Sequence, residues 1–313
     1  MFAPEPPVVM PPARTVQVPG RGECFVRDSG GDGPPVLLLH GWTVTADLNW
    51  YAQYGPLAGA GFRVLALDHR GHGRGIRALE NFDLEDCADD AAGVLRELGT
   101  GPAVVAGYSM GGPISLLTAR RHPDVVRALV LCATSSHWSS PRMRLLWWSM
   151  ALWRLLLGVA PYSVFRGTLR AAGMPDSAET TWAAGELVRG SARDIAEAGR
   201  ELGRFDARGW LGELTAPATV VVTTRDRAVP PGFQRDLARR LGAAVVESKG
   251  DHLDTNRPEF TRALLVALQA TSIPPSTGRT APVTYDDASL ARKTSAATSS
   301  TGSPARPAGT RPN

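Results

Sequence analysis

Six short, mostly apolar runs constrain this chain more than any other feature: residues 36–39, 63–67, 103–107, 128–132, 219–223 and 243–247. A strand with one face in water alternates polar and apolar residues. A run that is apolar throughout has no face to give to water, so runs this short, rich in Val and Leu and closed by turn residues, fit parallel strands buried on both sides. Helical patterns fall between them at 84–98, 112–122, 232–241 and 258–268. The alternation predicts an α/β fold, a doubly wound and mostly parallel sheet. Residues 18–29, with Pro19-Gly20 inside them, read as an antiparallel hairpin at one edge.

One region breaks the rhythm. From 139 to 204 there is no strand-like run, only helical patterning that carries Trp147, Trp148, Trp153 and Trp182. It is read as a helical lid inserted between two strands, so the core is expected at 14–138 and 205–270. Inside the lid, residues 143–158 are apolar nearly all round a helix, with Arg144 and Arg154 as the charged exceptions. Such a helix must bury more than one face. Its second face could line a substrate channel, which would make Trp148 and Trp153 substrate-binding. It could fill the seam between lid and core, or set Arg142, Arg144 and Arg154 against anionic lipid. The sequence leaves these three open.

Both ends are expected to be disordered. Residues 1–13 are Pro-rich and lack the basic stretch and apolar run of a secretory signal. Residues 271–313 are rich in Ser, Thr, Pro, Ala and Gly, and too poor in large apolar residues to offset the entropy of ordering. That tail holds five basic and two acidic residues, so it carries three of the four net positive charges. The body is left near neutral, without a phosphate-binding footprint, and nucleic acid is not an expected partner. The most apolar run, 145–159, falls short of the ~20 residues needed to span a bilayer. Cys24, Cys87 and Cys132 are too few and scattered for a disulfide framework or a metal site. They read as reduced core thiols of a cytoplasmic protein, with no metal and no cofactor expected.

The chemistry is concentrated at the ends of the apolar runs. Gly107-Tyr108-Ser109-Met110-Gly111 is a G-x-S-x-G motif. The spacing alone is weak in a glycine-rich chain, but here an apolar strand enters it and a helix leaves it, the setting a strained nucleophile turn requires. A serine hydroxyl needs a base within reach. Of the six histidines, His252 lies just past the last expected strand, where loops at the carboxyl ends of strands converge. Asp226, directly after run 219–223, is the candidate carboxylate to orient it, with Asp251 and Asp254 as rivals.

Together these stretches resemble the α/β-hydrolase superfamily. Leu37-Leu38-Leu39-His40-Gly41-Trp42, Asp68-His69-Arg70-Gly71-His72-Gly73, residues 107–112, Thr224-Arg225-Asp226-Arg227-Ala228-Val229-Pro230 and Gly250-Asp251-His252 stand in that family's order. The resemblance spans roughly residues 14–270. It implies a Ser109–Asp226–His252 triad and an oxyanion hole built from the backbone N–H groups of Trp42 and Met110. His40 is assigned a structural part in bracing its loop. Members with an aspartate nucleophile, the haloalkane dehalogenases and epoxide hydrolases, are disfavoured by Ser109.

The leading expectation is a serine esterase acting on a small or medium apolar acyl substrate. A thioesterase or C–C bond hydrolase follows, and then a catalytically silent binding protein of the same fold. Deleting residues 271–313 is expected to leave melting temperature and turnover unchanged. A loss of several degrees in a thermal melt would show that the tail docks on the body.

Overall fold

The structure, a computed structural model, describes residues 5–77, 80–138 and 141–272. The tail from residue 273 onward lies outside the described residues. Eight strands form one sheet: β1 (Ala13–Val18), β2 (Gly22–Asp28), β3 (Pro35–Leu39), β4 (Arg63–Leu67), β5 (Ala103–Tyr108), β6 (Val126–Cys132), β7 (Ala218–Thr223) and β8 (Ala244–Ser248). Their spatial order is β1-β2-β4-β3-β5-β6-β7-β8. The two pairings of β2 are antiparallel and all others are parallel.

The all-apolar runs divide by alternation. Leu37, Leu39, Leu65, Leu67, Val105, Leu129 and Leu131 turn to one side of the sheet. There they meet α2 (Leu84–Glu97), α3 (Gly111–Arg121) and α9 (Pro231–Leu241). Val36, Leu38, Val64, Ala66, Val104, Ala106 and Val130 turn to the other, against α1 (Ala46–Gly59) and α10 (Pro258–Ser272). Trp50 of α1 is fully buried there between Tyr108 and Phe260.

Four details differ from the expectation. Helix α1 was not foreseen, because Pro56 interrupts its pattern; Thr45 caps it by accepting from the Leu48 N–H at 3.0 Å. The hairpin begins earlier than residue 18, pairing Ala13 with Arg27 through Val18 with Gly22. The chain is tied down from Met10, which packs on the core. The Pro11 and Pro12 carbonyls accept from the Arg27 guanidinium and the Asp28 N–H, each at 3.0 Å. Finally, β8 is an edge strand. Its Val245 and Glu247 are exposed, and Glu247 pairs with Arg235. An edge strand has only one neighbour, so its composition alone cannot separate it from an inner one.

Between β6 and β7 come five helices: α4 (Pro141–Trp148), α5 (Met150–Val159), α6 (Pro161–Ala171), α7 (Ala178–Leu187) and α8 (Ala192–Arg204). The ends of this insertion meet. His137 and Asp206 form an antiparallel bridge, and the Ala207 N–H donates to the Ser136 carbonyl at 2.8 Å. Helices α7 and α8 hold it to the loops after β3 and β4. The Trp42 indole donates to the Ile195 carbonyl at 2.7 Å, Thr45 to Glu186 at 2.9 Å, and the Ser191 N–H to the Gly71 carbonyl at 2.8 Å. Among the described residues, no helix is long and apolar enough to cross a membrane.

Behind those loops lies a cluster of three buried histidines. The ring of His40 stands 4.2 Å from that of His69 and 5.5 Å from that of His72. Burial holds His40 down at about 4 and His72 at about 3, and keeps His69 well below the ordinary imidazole value. In the unfolded chain each protonates near 6.5. Unfolding below that pH therefore takes up protons that the folded protein excludes. The stability these groups contribute is full above about 6.5 and is lost as pH falls toward the folded values. Denaturant titrations between pH 7 and pH 5 should show the unfolding free energy falling, with a limiting slope of about 1.4 kcal/mol per pH unit for each histidine. His72→Phe should remove one proton from that slope; an unchanged slope would show that His72 already titrates in the folded state.

Candidate active site

Strand β5 is buried at every position and runs directly into Ser109. The Ser109 N–H still donates to the Cys132 carbonyl at 3.0 Å, one rung beyond the strand. The backbone then reverses. Ser109 has φ +52°, in the left-handed region, and α3 opens two residues later. This conformation costs a residue bearing a Cβ about 1–2 kcal/mol. Two donors hold it in place at the Ser109 carbonyl: Thr134 Oγ1 at 2.8 Å and the Gly112 N–H at 2.9 Å. The flanking glycines are steric necessities. A Cβ on Gly107 would strike the Gly111 carbonyl and Ser115 Oγ, and one on Gly111 would strike the Leu39 carbonyl.

His252 stands in the loop after β8, and its carbonyl accepts from the Tyr108 hydroxyl at 2.5 Å. Its Nε2 lies 3.0 Å from Ser109 Oγ, and its Nδ1 lies 2.8 Å from Asp226 Oδ2. A carboxylate accepts only, which assigns the proton to Nδ1 and leaves Nε2 to accept from the serine hydroxyl. Asp226 is fully buried and well furnished with donors. Its Oδ1 accepts from the N–H groups of Ala228 and Val229 at 2.9 and 2.7 Å. Its Oδ2 accepts from Thr223 Oγ1 at 2.8 Å and Gln234 Nε2 at 3.3 Å. The rival carboxylates brace the loop instead. Asp251 accepts from the backbone N–H groups of Arg227 and His252, and Asp254 from that of Asp251.

The loop after β3 passes beside the nucleophile: a Cβ on Gly41 would come within 3.3 Å of that of Ser109. The loop is held by Asn49, which accepts from the Gly41 N–H at 2.9 Å, and by His40. His40 Nδ1 meets the Gly41 carbonyl at 2.7 Å, and its Nε2 accepts from the His69 N–H at 3.0 Å. Among the described residues, neither the Trp42 nor the Met110 backbone N–H finds an acceptor.

The two lid tryptophans part company. Trp153 is half-buried among the residues that also contact Trp42. Trp148 is 86% exposed on the far side of α4, and the structure does not bring it to Ser109. Its neighbour Trp147 takes the inward position, with its ring 5.4 Å from that of Trp42; adjacent helical residues point about 100° apart, so both cannot face the core. A shallow surface depression adjoins the Asp226 loop, lined by Ser135, His137, Trp138, Met143, Val229 and Phe233. Among the described residues no cluster of His, Cys, Asp or Glu could hold a metal ion.

Sequence reasoning passed over Thr223, Gln234, Tyr108 and Asn49. Gln234 had a signal: it shares the buried face of α9 with Leu237 and Ala238. A polar residue on an apolar stripe is held there by partners.

A family model described as alpha/beta hydrolase fold matches residues 34–254. The chain belongs to the alpha/beta hydrolase fold family. This hydrolase is 32% identical over 254 residues to a pimeloyl-[acyl-carrier protein] methyl ester esterase of Chromobacterium violaceum. That match covers 76% of this chain and 96% of the relative. It is 37% identical over 114 residues to a bifunctional esterase/perhydrolase of Acinetobacter calcoaceticus, covering 36% of this chain and 41% of that protein. A thermophilic esterase from Thermogutta terrifontis superposes with a TM-score of 0.69 at 26% identity, over 83% of this chain and 99% of that one.

The positive φ at Ser109 is testable without any substrate. Glycine pays no Cβ penalty there, so Ser109→Gly should be more stable than Ser109→Ala by about 1 kcal/mol, reversing their usual order. Thermal melts of the two variants would decide it, and an alanine variant as stable as the glycine one would mean that the turn is unstrained.

Proposed function

We propose that this hydrolase cleaves an ester-type acyl bond of a small or medium apolar substrate through an acyl-enzyme on Ser109. The observation that carries the reading is the unbroken relay Asp226–His252–Ser109, at 2.8 and 3.0 Å, ending on a serine beside two backbone N–H groups without acceptors.

As Ser109 Oγ attacks the carbonyl carbon, His252 Nε2 takes its proton. Asp226 holds the Nδ1–H and stabilises the imidazolium. The carbonyl oxygen gains negative charge, and the N–H groups of Trp42 and Met110 receive it, each such donor being typically worth ~2.7–4 kcal/mol in the transition state. The imidazolium returns its proton to the leaving alkoxide. Water, deprotonated by the same nitrogen, then attacks the acyl carbon, and the proton passes to Ser109 Oγ as the acid leaves. The apolar side chains of Trp138, Met143, Val229 and Phe233, gathered beside the Asp226 loop, favour an oily acyl or alcohol group. The ester-cleaving relatives favour oxygen esters over thioesters and C–C bonds. Three buried, unpaired cysteines suit a cytoplasmic setting.

A fluorophosphonate probe should label the wild-type protein rapidly and Ser109→Ala not at all, with p-nitrophenyl ester turnover falling by a factor near 10⁶ in that variant. Asp226→Asn keeps an acceptor for the Ala228 and Val229 N–H groups but presents the wrong partner to His252. It should fold normally and lose about 10⁴ in kcat. Slow labelling of wild type would sink the assignment in favour of a binding protein, and several per cent of turnover in Ser109→Ala would move the nucleophile to another residue.

A further inference from the structure

Apolar side chains facing water are concentrated in one place. Of the eleven exposed large hydrophobic residues among those described, seven lie on α4–α6, the outermost of these being Trp148 at 86%, Val159 at 77% and Leu145 at 75% exposure. Leu145, Trp148, Leu152, Leu155 and Val159 recur at steps of three and four, the spacing of a single helix face. The stripe is continuous across the boundary between α4 and α5. There the Ser149 N–H donates to the Leu145 carbonyl at 3.2 Å and the Trp153 N–H to the Ser149 carbonyl at 3.0 Å, so helical bonding runs through. The opposite face is spent on the body of the protein, with Trp147, Met150 and Leu157 buried. Scattered surface leucines need no explanation, but a contiguous ridge of this kind marks a contact surface.

The charge around the ridge is predominantly positive. Between Asp124 and Asp176 the chain contains no Asp or Glu, while Arg142, Arg144, Arg154, Arg166 and Arg170 fall on α4–α6. Arg166 and Arg170 share one carboxylate, that of Asp176, at 2.8 and 2.5 Å. Exposed Arg154 feels the field of Glu197 on α8, which also pairs with Arg193. The balance remains positive. Helices α7 and α8 make the polar contacts to the body, and α4 and α5 pack on α8 as the outer layer.

We infer that the α4–α5 ridge docks this protein on an anionic lipid bilayer, with Leu145, Trp148, Leu152, Leu155 and Val159 sunk to the level of the headgroups and Arg154, Arg166 and Arg170 against lipid phosphate. An exposed apolar ridge with a large aromatic at its crest and an excess of cations around it matches a fluid, negatively charged surface. The inference is independent of the chemistry at Ser109, because binding is read without turnover.

The test is sedimentation of the full chain with vesicles of phosphatidylcholine alone and of phosphatidylcholine mixed with phosphatidylglycerol, at low and high salt. Binding should favour the anionic vesicles by about tenfold and weaken with salt. The double variant Leu152→Ser/Leu155→Ser should lose about tenfold in binding, while its circular dichroism, melting temperature and turnover of a soluble short-chain ester stay at wild-type values. Arg154→Glu should lose the preference for anionic vesicles. Equal binding to both vesicle types, or undiminished binding by the double variant, overturns the proposal. So does a wild-type protein that ignores vesicles and either sediments as a dimer that the double variant dissolves, or is captured through this ridge by an acidic carrier protein.

Discussion

Strand β5 has no exposed position, and its neighbours β3 and β6, with β4 beyond β3, are nearly as dry. Backbone N–H and C=O groups in such a place must be paired within the sheet, and the ladder does this until the strands end. At their carboxyl ends the pairing stops, so polar side chains can gather there. His40 follows β3, Asp68 follows β4, Ser109 follows β5, Asp226 follows β7 and His252 follows β8. Residues more than a hundred positions apart reach hydrogen-bond distance because all their strands stop at the same edge.

The same burial makes that edge expensive to organise. Asp68 is almost wholly buried, and desolvation raises its affinity for a proton against the pull of its donors. Those donors are the N–H groups of Ala46 and Arg74 at 2.7 and 2.8 Å, and the Arg74 guanidinium at 3.1 Å. Arg74 extends further to Asp47 at 3.0 Å and to Glu186 of the insertion at 3.2 Å. A buried charge without such partners would cost several kcal/mol. The network therefore ties three segments to one another: the entry of α1, the loop after β4, and α7.

Much of this was legible in the residues. The all-apolar runs announce strands covered on both sides, and the turn residues that close them announce where chemistry can sit. The G-x-S-x-G spacing carries weight because a strand precedes it and a helix follows. Other features were not legible, for identifiable reasons. Pro56 hides α1, because a proline late in a helix is rare enough to look like a stop. Asp226 is legible from its place after run 219–223, but what Asp251 and Asp254 do instead depends on where their loop aims, a matter of tertiary geometry. Trp147 and Trp148 are identical in type and adjacent in sequence, and only the packing of α4 on α8 decides which one turns inward. Thr223 and Gln234 hold Asp226 from two elements at once, and no local pattern records such a convergence.

The neck of the helical insertion has a consequence for how the molecule can change. His137 and Asp206 bridge, and Ser136 and Ala207 share a hydrogen bond, so the chain leaves the body and returns to it at almost one point. The register of β6 against β7 is set below that neck, from Leu129 opposite Ala218 to Cys132 opposite Val221. Whatever lies above it places no demand on the spacing of those strands. A segment attached in this way behaves as a graft: its outer helices α4–α6 can be lengthened, shortened or exchanged while the rootstock keeps its alignment. The surface presented to substrates and partners is thereby free to diverge without disturbing the reacting atoms beneath it.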